Sequence, residues 1–239
     1  MIDWLWQLDV GLARLINDTW SNPAFDAVLY TMADFKRLML PLIIILGAIA
    51  VWGRFRGRLF LVTMLLALVL GDAGTNWTFK RNVNRPRPNE SVDNLRIYSD
   101  GEWQRSKARP VEKGRSFTSG HACNNMALAV AGTAVFGLSA AWWLWPWAIV
   151  MGYSRIYTAD HFPSDILGSW VVAIIYTLLI MRGMQWAWDY WAPSRFPELY
   201  RAHPRLFLWG SPETPPASTS KSENACIPSD SPYPAHRDV

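Results

Sequence analysis

Leu59-Phe60-Leu61-Val62-Thr63-Met64-Leu65-Leu66-Ala67-Leu68-Val69-Leu70 is the stretch whose reading decides the fold. It carries no charge, and with its flank to about Trp77 it reaches the roughly twenty residues that cross a hydrocarbon layer. On either side the same signature returns. Leu38 to Trp52 precedes it, and Gly120–Leu138, Ala140 to about Tyr157 and Ile166–Met181 follow, the shorter runs being extended by their flanks. The expected fold is therefore all-α, a polytopic transmembrane bundle of about five to six spans. The sixth candidate, Phe25–Ala33, is cut off from the first span by Asp34, Lys36 and Arg37 and reads as a re-entrant or surface helix.

The averages hide this body. Across 239 residues the chain is 51% hydrophobic and 18% charged, with a mean hydropathy of +0.03, because polar ends dilute the apolar middle. At the start, Trp4, Leu5, Leu8, Leu12, Leu15 and Ile16 recur at helical spacing among Asp3, Asp9, Arg14 and Asp18, which predicts an interfacial amphipathic helix too charged to span. It has no basic start or small-residue cleavage site, so it is not read as a secretory signal. At the far end, prolines among serines and threonines beyond Trp209 predict a disordered tail. The chain thus divides into residues 1–34, a membrane core at 35–185 whose motif loop is 80–119, and a polar tail at 186–239. Trp52, Trp77, Trp142, Trp143, Trp145, Trp147, Trp186, Trp188 and Trp191 suit headgroup belts. Two cysteines, Cys123 and Cys226, make neither a disulfide framework nor a metal cluster. The net charge of +4 comes from basic residues gathered between membrane runs, where an anionic headgroup is a nearer partner than nucleic acid.

Three polar segments interrupt the apolar body. Lys80-Arg81-Asn82-Val83-Asn84-Arg85-Pro86-Arg87-Pro88 is a dense cation cluster, suited to phosphate because arginine matches its oxygens with a rigid fork. Ser116-Phe117-Thr118-Ser119-Gly120-His121 opens a helix with free amides, an anion-binding end, and supplies an acid–base histidine. Ser154-Arg155-Ile156-Tyr157-Thr158-Ala159-Asp160-His161-Phe162-Pro163-Ser164-Asp165 sets a carboxylate four residues after a histidine, where it can hold one imidazole nitrogen and leave the other as nucleophile or base. Taken singly, each has a bland alternative: a lipid anchor, a helix cap and an interfacial hydrogen-bonded pair. Alternating spans bring all three to one membrane face, and that convergence points to a phosphate-ester site. Arg85 and Arg115 are secondary candidates, as readily surface charges. Asp72, Asn76, Asn124 and Asn125 are polar groups at membrane depth, as readily inter-helix glue as functional.

The three segments together resemble the type 2 phosphatidic acid phosphatase family, in the membrane-bound branch of the acid phosphatase and vanadium haloperoxidase superfamily. The family's Lys, six residues, Arg-Pro fits Lys80 with Arg87-Pro88. Its Pro-Ser-Gly-His fits Thr118-Ser119-Gly120-His121 with threonine replacing proline. Its Ser-Arg, five residues, His, three residues, Asp fits Ser154-Arg155, His161 and Asp165 without a gap. The resemblance implies that His161 attacks phosphorus and becomes a phosphohistidine, that Asp165 orients it, and that His121 protonates the leaving oxygen. Lys80, Arg87, Ser119, Gly120 and Arg155 would bind the phosphoryl oxygens. No metal or other cofactor is implied, and vanadate should inhibit.

The implied function is a membrane lipid phosphatase. Its first-choice substrate is an undecaprenyl or other polyprenyl diphosphate, ahead of phosphatidic acid, phosphatidylglycerol phosphate and lipid A. A lipid phosphotransferase would need the same residues. A catalytically silent lipid-binding protein or an anion transporter is the rival from another class. Arg54, Arg56 and Arg58 argue that their loop is cytoplasmic, which places the site on the outer, periplasmic side of a bacterial inner membrane. The basic 80–115 loop opposes that count unless its cations serve the chemistry.

Overall fold

The computed structural model describes residues 3–33, 35–80, 82–99 and 101–208, and the side chains among them except those at 35–38, 72, 76 and 80. The Lys80, Asp72 and Asn76 side chains and the part of the expected 186–239 tail from 209 on therefore lie outside the described residues, whereas 186–208 is largely helical and ends with Leu206 and Phe207 buried in the core. The chain is mostly helical. In order, α1 is Asp3–Arg14, α2 Pro23–Ala33, α3 Phe35–Trp52, α4 Arg54–Thr75 and α5 Pro88–Ser91. Strands β1 Arg96–Ser99 and β2 Glu102–Arg105 follow, then α6 Gly120–Phe136, α7 Leu138–Ala141, α8 Leu144–Tyr157, α9 Pro163–Arg195 and α10 Pro197–Ala202. Wide π turns extend α1 through Leu15–Thr19 and α4 through Asn76–Lys80.

Helix α6 is the axis of the bundle. Its sequence is dominated by small residues, and Ala122, Ala127, Ala129, Ala131 and Ala134 are all buried. Small side chains let helix backbones approach closely. A Cβ on Gly132 would stand 2.3 Å from Leu144 of α8. Around this axis α4, α8 and α9 close a core that includes Phe60, Met64, Met126, Val135, Leu144, Ala173 and Met181. The reading of an apolar run at 120–138 is thus met by a central buried helix, apolar all round for that reason.

Among the described residues, two helices are long and apolar enough to cross a membrane, Arg54–Phe79 and Pro163–Arg195. On α9 the residues Leu167, Val171, Ile175 and Leu179 form an exposed stripe at four-residue spacing, a face that water does not reward and lipid does. At 17 and 14 residues, α6 and α8 fall short of the usual spanning length.

Two differences from the sequence reading bear on the site. First, α1 turns Asp9 and Ala13 inward, while Trp4, Leu5, Leu8 and Leu12 are exposed. Second, the motif loop is not all irregular, since β1 and β2 form an antiparallel hairpin with Arg96 opposite Arg105 and Ser99 opposite Glu102. Tyr98 and Trp103 pair across it at 5.4 Å, and Tyr30 of α2 packs on Tyr98 at 4.1 Å. Arg96 ties the hairpin to Asp26 of α2 at 2.7 Å. The tryptophans also divide. Trp52, Trp77, Trp142 and Trp186 are exposed, but Trp145, Trp147 and Trp188 donate their indole N–H to Thr133, Asn125 and the His203 carbonyl. Asn125 is in this way glue between α6 and α8.

Candidate active site

The site forms where the C-terminal end of α4, the N-terminus of α6, the C-terminus of α8 and the N-terminus of α9 meet. Close backbone contact joins the first two segments. A Cβ on Gly114 would lie 2.1 Å from the Arg85 carbonyl carbon and 2.3 Å from the Pro86 nitrogen, so only glycine admits the approach. The Ser116 amide then donates to the Arg85 carbonyl at 2.9 Å. The third segment is joined by the Asn89 amide, which donates to the Ala159 carbonyl at 3.0 Å.

His161 is buried at 4% exposure. Its Nδ1 lies 2.7 Å from the backbone carbonyl of Ser116. A carbonyl can only accept, so Nδ1 carries the proton and Nε2 keeps its lone pair. Burial holds the imidazole's pKa well below the ordinary histidine value, and the positive charges of Arg155 and Arg87 push the same way. A neutral ring with an unprotonated Nε2 is the form a nucleophile needs.

Asp165 does not make the expected contact with the His161 ring. Its carboxylate is filled by other donors: the Ser116 hydroxyl and Arg85, each at 2.5 Å, and the Phe162 amide at 3.0 Å. The last bond is the reason. With Pro163 in the first turn of α9, Asp165 folds back to cap its own helix, and Ser116 comes between it and the histidine. Asp165 thus grips the hydroxyl of the residue whose carbonyl holds the ring.

Arg155 and Arg87 converge as expected, but around a carboxylate. Arg155 lies 2.9 Å from one Asp160 oxygen and Arg87 3.6 Å from the other, while Thr158 donates to Asp160 at 2.6 Å. Arg155 also donates to the Ala33 carbonyl of α2 at 3.1 Å.

Ser119 caps α6, its hydroxyl accepting from the Ala122 amide at 3.4 Å, and its own amide donates to the Ser169 hydroxyl at 2.8 Å. The serine keeps its hydroxyl proton as a donor. A Cβ on Gly120 would meet nothing within 4 Å, so there is open space beside the first-turn amides. His121 follows in the same turn, near enough that its charge acts on His161. His161, His121, Arg87, Arg155, Ser119 and Gly120 are therefore brought together. Arg115 is exposed and takes no part, whereas Arg85 is no surface charge, with its side chain 10% exposed between two carboxylates.

Four participants escaped the sequence reading: Ser116, Ser169, Asp160 as an arginine partner, and Asp9. Ser116 stood inside a quoted motif, but a role for its carbonyl has no side-chain signature. Asp9 sits some 150 residues from its partner, the Ser164 amide, at 2.9 Å.

A sequence model described as the PAP2 superfamily matches residues 58–189, more than half of the chain. The undecaprenyl-diphosphatase BcrC of Bacillus subtilis (strain 168) is 37% identical over 67 residues, 28% of this chain and 34% of that protein. The chain thus matches about a third of the length of that curated relative. Among solved structures, Aquifex aeolicus LpxE superposes with a TM-score of 0.54 at 24% identity, covering 73% of this chain and 95% of the other. A transmembrane PAP2-type phosphatidylglycerolphosphate phosphatase from Bacillus subtilis reaches 0.49 at 19% identity, with 75% and 85% covered.

Proposed function

The chain belongs to the PAP2 superfamily, which supports a phosphatase, and from that premise we propose that it hydrolyses the terminal phosphate of a membrane lipid through a phosphohistidine on His161. The observation that carries this reading is the Ser116 carbonyl at 2.7 Å from His161 Nδ1, which leaves Nε2 as the unprotonated nitrogen. Nε2 attacks phosphorus in line, and the P–N bond forms as the bond to the leaving oxygen breaks. His121 gives that oxygen its proton. Arg87, Arg155, Lys80, the Gly120 amide and the Ser119 hydroxyl hold the three equatorial oxygens, where the transition state spreads its charge. Water then attacks phosphorus, gives its proton back to His121, and the P–N bond breaks to release phosphate. The steps require no metal.

A polyprenyl diphosphate is the substrate we favour. The Bacillus relative named an undecaprenyl-diphosphatase supports it over the matched third of that protein. An apolar groove of about 270 Å³ supports a lipid more generally. Leu70, Gly74 and Phe79 on the α4 side and Val172 and Ile175 of α9 line it. Phe79 packs edge-on against Phe117 at 5.5 Å, one residue from Thr118, so the groove ends at the phosphate-binding loop. The site faces the periplasm of a bacterial inner membrane in this reading.

Purified full-length protein in detergent and EDTA, given undecaprenyl diphosphate, phosphatidic acid, phosphatidylglycerol phosphate and lipid A, tests it. Phosphate release is expected, fastest from the polyprenyl diphosphate and lost in His161→Ala. Release that requires a divalent metal, or that survives in His161→Ala, contradicts it. Release only when a second lipid is supplied as acceptor would identify a phosphotransferase instead.

A further inference from the structure

Residues 1–57 lie outside the matched family region, yet α1 delivers a carboxylate to the centre of the site. Asp9 is 5% exposed. One of its oxygens accepts the Ser164 amide at 2.9 Å. The other accepts the Ser164 hydroxyl at 2.5 Å and an Arg85 guanidinium N–H. Arg85 passes the contact on, its second terminal nitrogen donating to Asp165 at 2.5 Å and to the Ser164 hydroxyl at 2.8 Å. Two rings fix the guanidinium from the side, Phe162 at 4.5 Å and Trp6 of α1 at 5.9 Å. Trp6 and Phe162 pack on each other at 5.0 Å.

We propose that Asp9 is a positioning residue for the nucleophile, acting through the continuous series Asp9, Arg85, Asp165, Ser116 and His161. The inference rests on the reading of His161 as nucleophile and extends the site into the N-terminal helix. The electrostatics give it a direction. A single buried arginine serves two carboxylates, so each limits how far the guanidinium can turn toward the other. Without the Asp9 charge, Arg85 loses one arm of its fork and its hold on Asp165 is no longer fixed in direction. The Ser116 hydroxyl follows Asp165, and the carbonyl that sets the His161 tautomer follows Ser116. The phosphate-binding arginines 87 and 155 pair with Asp160 instead and stay outside this series.

The expected effect is on turnover and not on binding. With farnesyl diphosphate in detergent, Asp9→Asn should lower kcat roughly tenfold to a hundredfold, the usual cost of a small misplacement of a reacting group, with KM within about threefold. Asp9→Glu should recover part of the loss. Combined with Arg85→Lys, Asp9→Asn should add little, because both act in one series. A readout independent of turnover is histidine 15N NMR of the full chain in micelles, with His161 assigned from His161→Ala. The wild type should show the Nδ1–H tautomer at His161 and Asp9→Asn a mixture of tautomers. Should Asp9→Asn fail to fold, Ser164→Ala removes one bond to Asp9 and one to Arg85, and should move both readouts the same way by less. An unchanged tautomer overturns the proposal, as does a loss carried by KM or one fully additive with Arg85→Lys. No phosphate release by the wild type from farnesyl diphosphate or from any of the four lipids above, with the tautomer change intact, would sink the proposed function and leave the positioning role standing.

Discussion

His161 and Asp160 both neighbour Arg87 and Arg155, with opposite consequences. The histidine is buried beside two arginines, so it resists protonation, and a nucleophile whose pKa is lowered keeps its active neutral form to lower pH. The acid limb of kcat/KM, which reports the free enzyme, should therefore carry no ionisation from His161 between pH 6 and 7. Protonation should cost activity only well below pH 6.5. A fall centred near 6.5 that disappears on changing His161 would contradict this. Asp160, in turn, stands between Arg87 and Arg155 where the phosphoryl group is expected. An incoming anion must displace it or share its arginines. Asp160→Asn should tighten inhibition by vanadate and by inorganic phosphate, on the order of tenfold after discounting for the partial exposure of Arg87 and Asp160. Weaker inhibition would show that the carboxylate positions the arginines and does not compete for them.

At the scale of elements, the groove between α4 and α9 gives the sharpest test of a lipid substrate. A Cβ on Gly74 would meet nothing within 4 Å, so a side chain at this groove-lining position can start into the groove, and Gly74→Leu is placed to fill it. It should raise KM for undecaprenyl diphosphate at least severalfold and leave para-nitrophenyl phosphate hydrolysis unchanged. Equal effects on both would place the tail elsewhere. Elements were unevenly legible in the sequence. Helices α4 and α9 announce themselves as uncharged runs, and the three motif segments stand out because their polar side chains are adjacent or one helical turn apart. The hairpin was missed although Asp100-Gly101 between Arg96–Ser99 and Glu102–Arg105 is a strong two-residue turn signal; the density of charge in the loop masked it. The inward face of α1 was missed for a different reason. Trp4, Leu5, Leu8 and Leu12, which carry the amphipathic pattern, face outward, and the buried side is written in Asp9, Ala13 and, one turn beyond the helix, Asn17, with Trp6 and Val10 packed beside them. Asn17 is fully buried, bonding the Tyr157 carbonyl and both backbone groups of Arg96. Buried polar groups such as Asp9 and Asn17 cannot be recognised until their partners, dozens to 150 residues away, are in place. The same limit explains Asp165, whose spacing to His161 was read correctly and whose partner was not, since Ser116 arrives from another segment.

For the whole molecule, orientation is the property that charge counting serves least well. Arg56, one of the three arginines that argued for a cytoplasmic loop, donates to the Leu206 carbonyl at 2.9 Å and to Val135, so it has a structural reason to be where it is. The hairpin offers a direct test, because Glu102 is exposed and its neighbour Trp103 packs edge-on at 6.2 Å against Tyr157, in the segment that carries Arg155 and His161. In a Cys226→Ser background, which leaves Cys123 buried, Glu102→Cys should react in intact cells with an impermeant maleimide. Reaction only after the membrane is opened would put the site in the cytoplasm and remove periplasmic lipids from the candidate substrates.

The covalent intermediate is the central claim, and rapid quenching of 32P-labelled undecaprenyl diphosphate turnover into alkali, where a phosphohistidine survives, tests it most directly. Labelled protein should appear within the first turnover, be absent from His161→Ala and accumulate in His121→Ala supplied with a leaving group that needs no proton. Phosphate released without labelled protein on any accessible timescale, or label that persists in His161→Ala, would contradict the account.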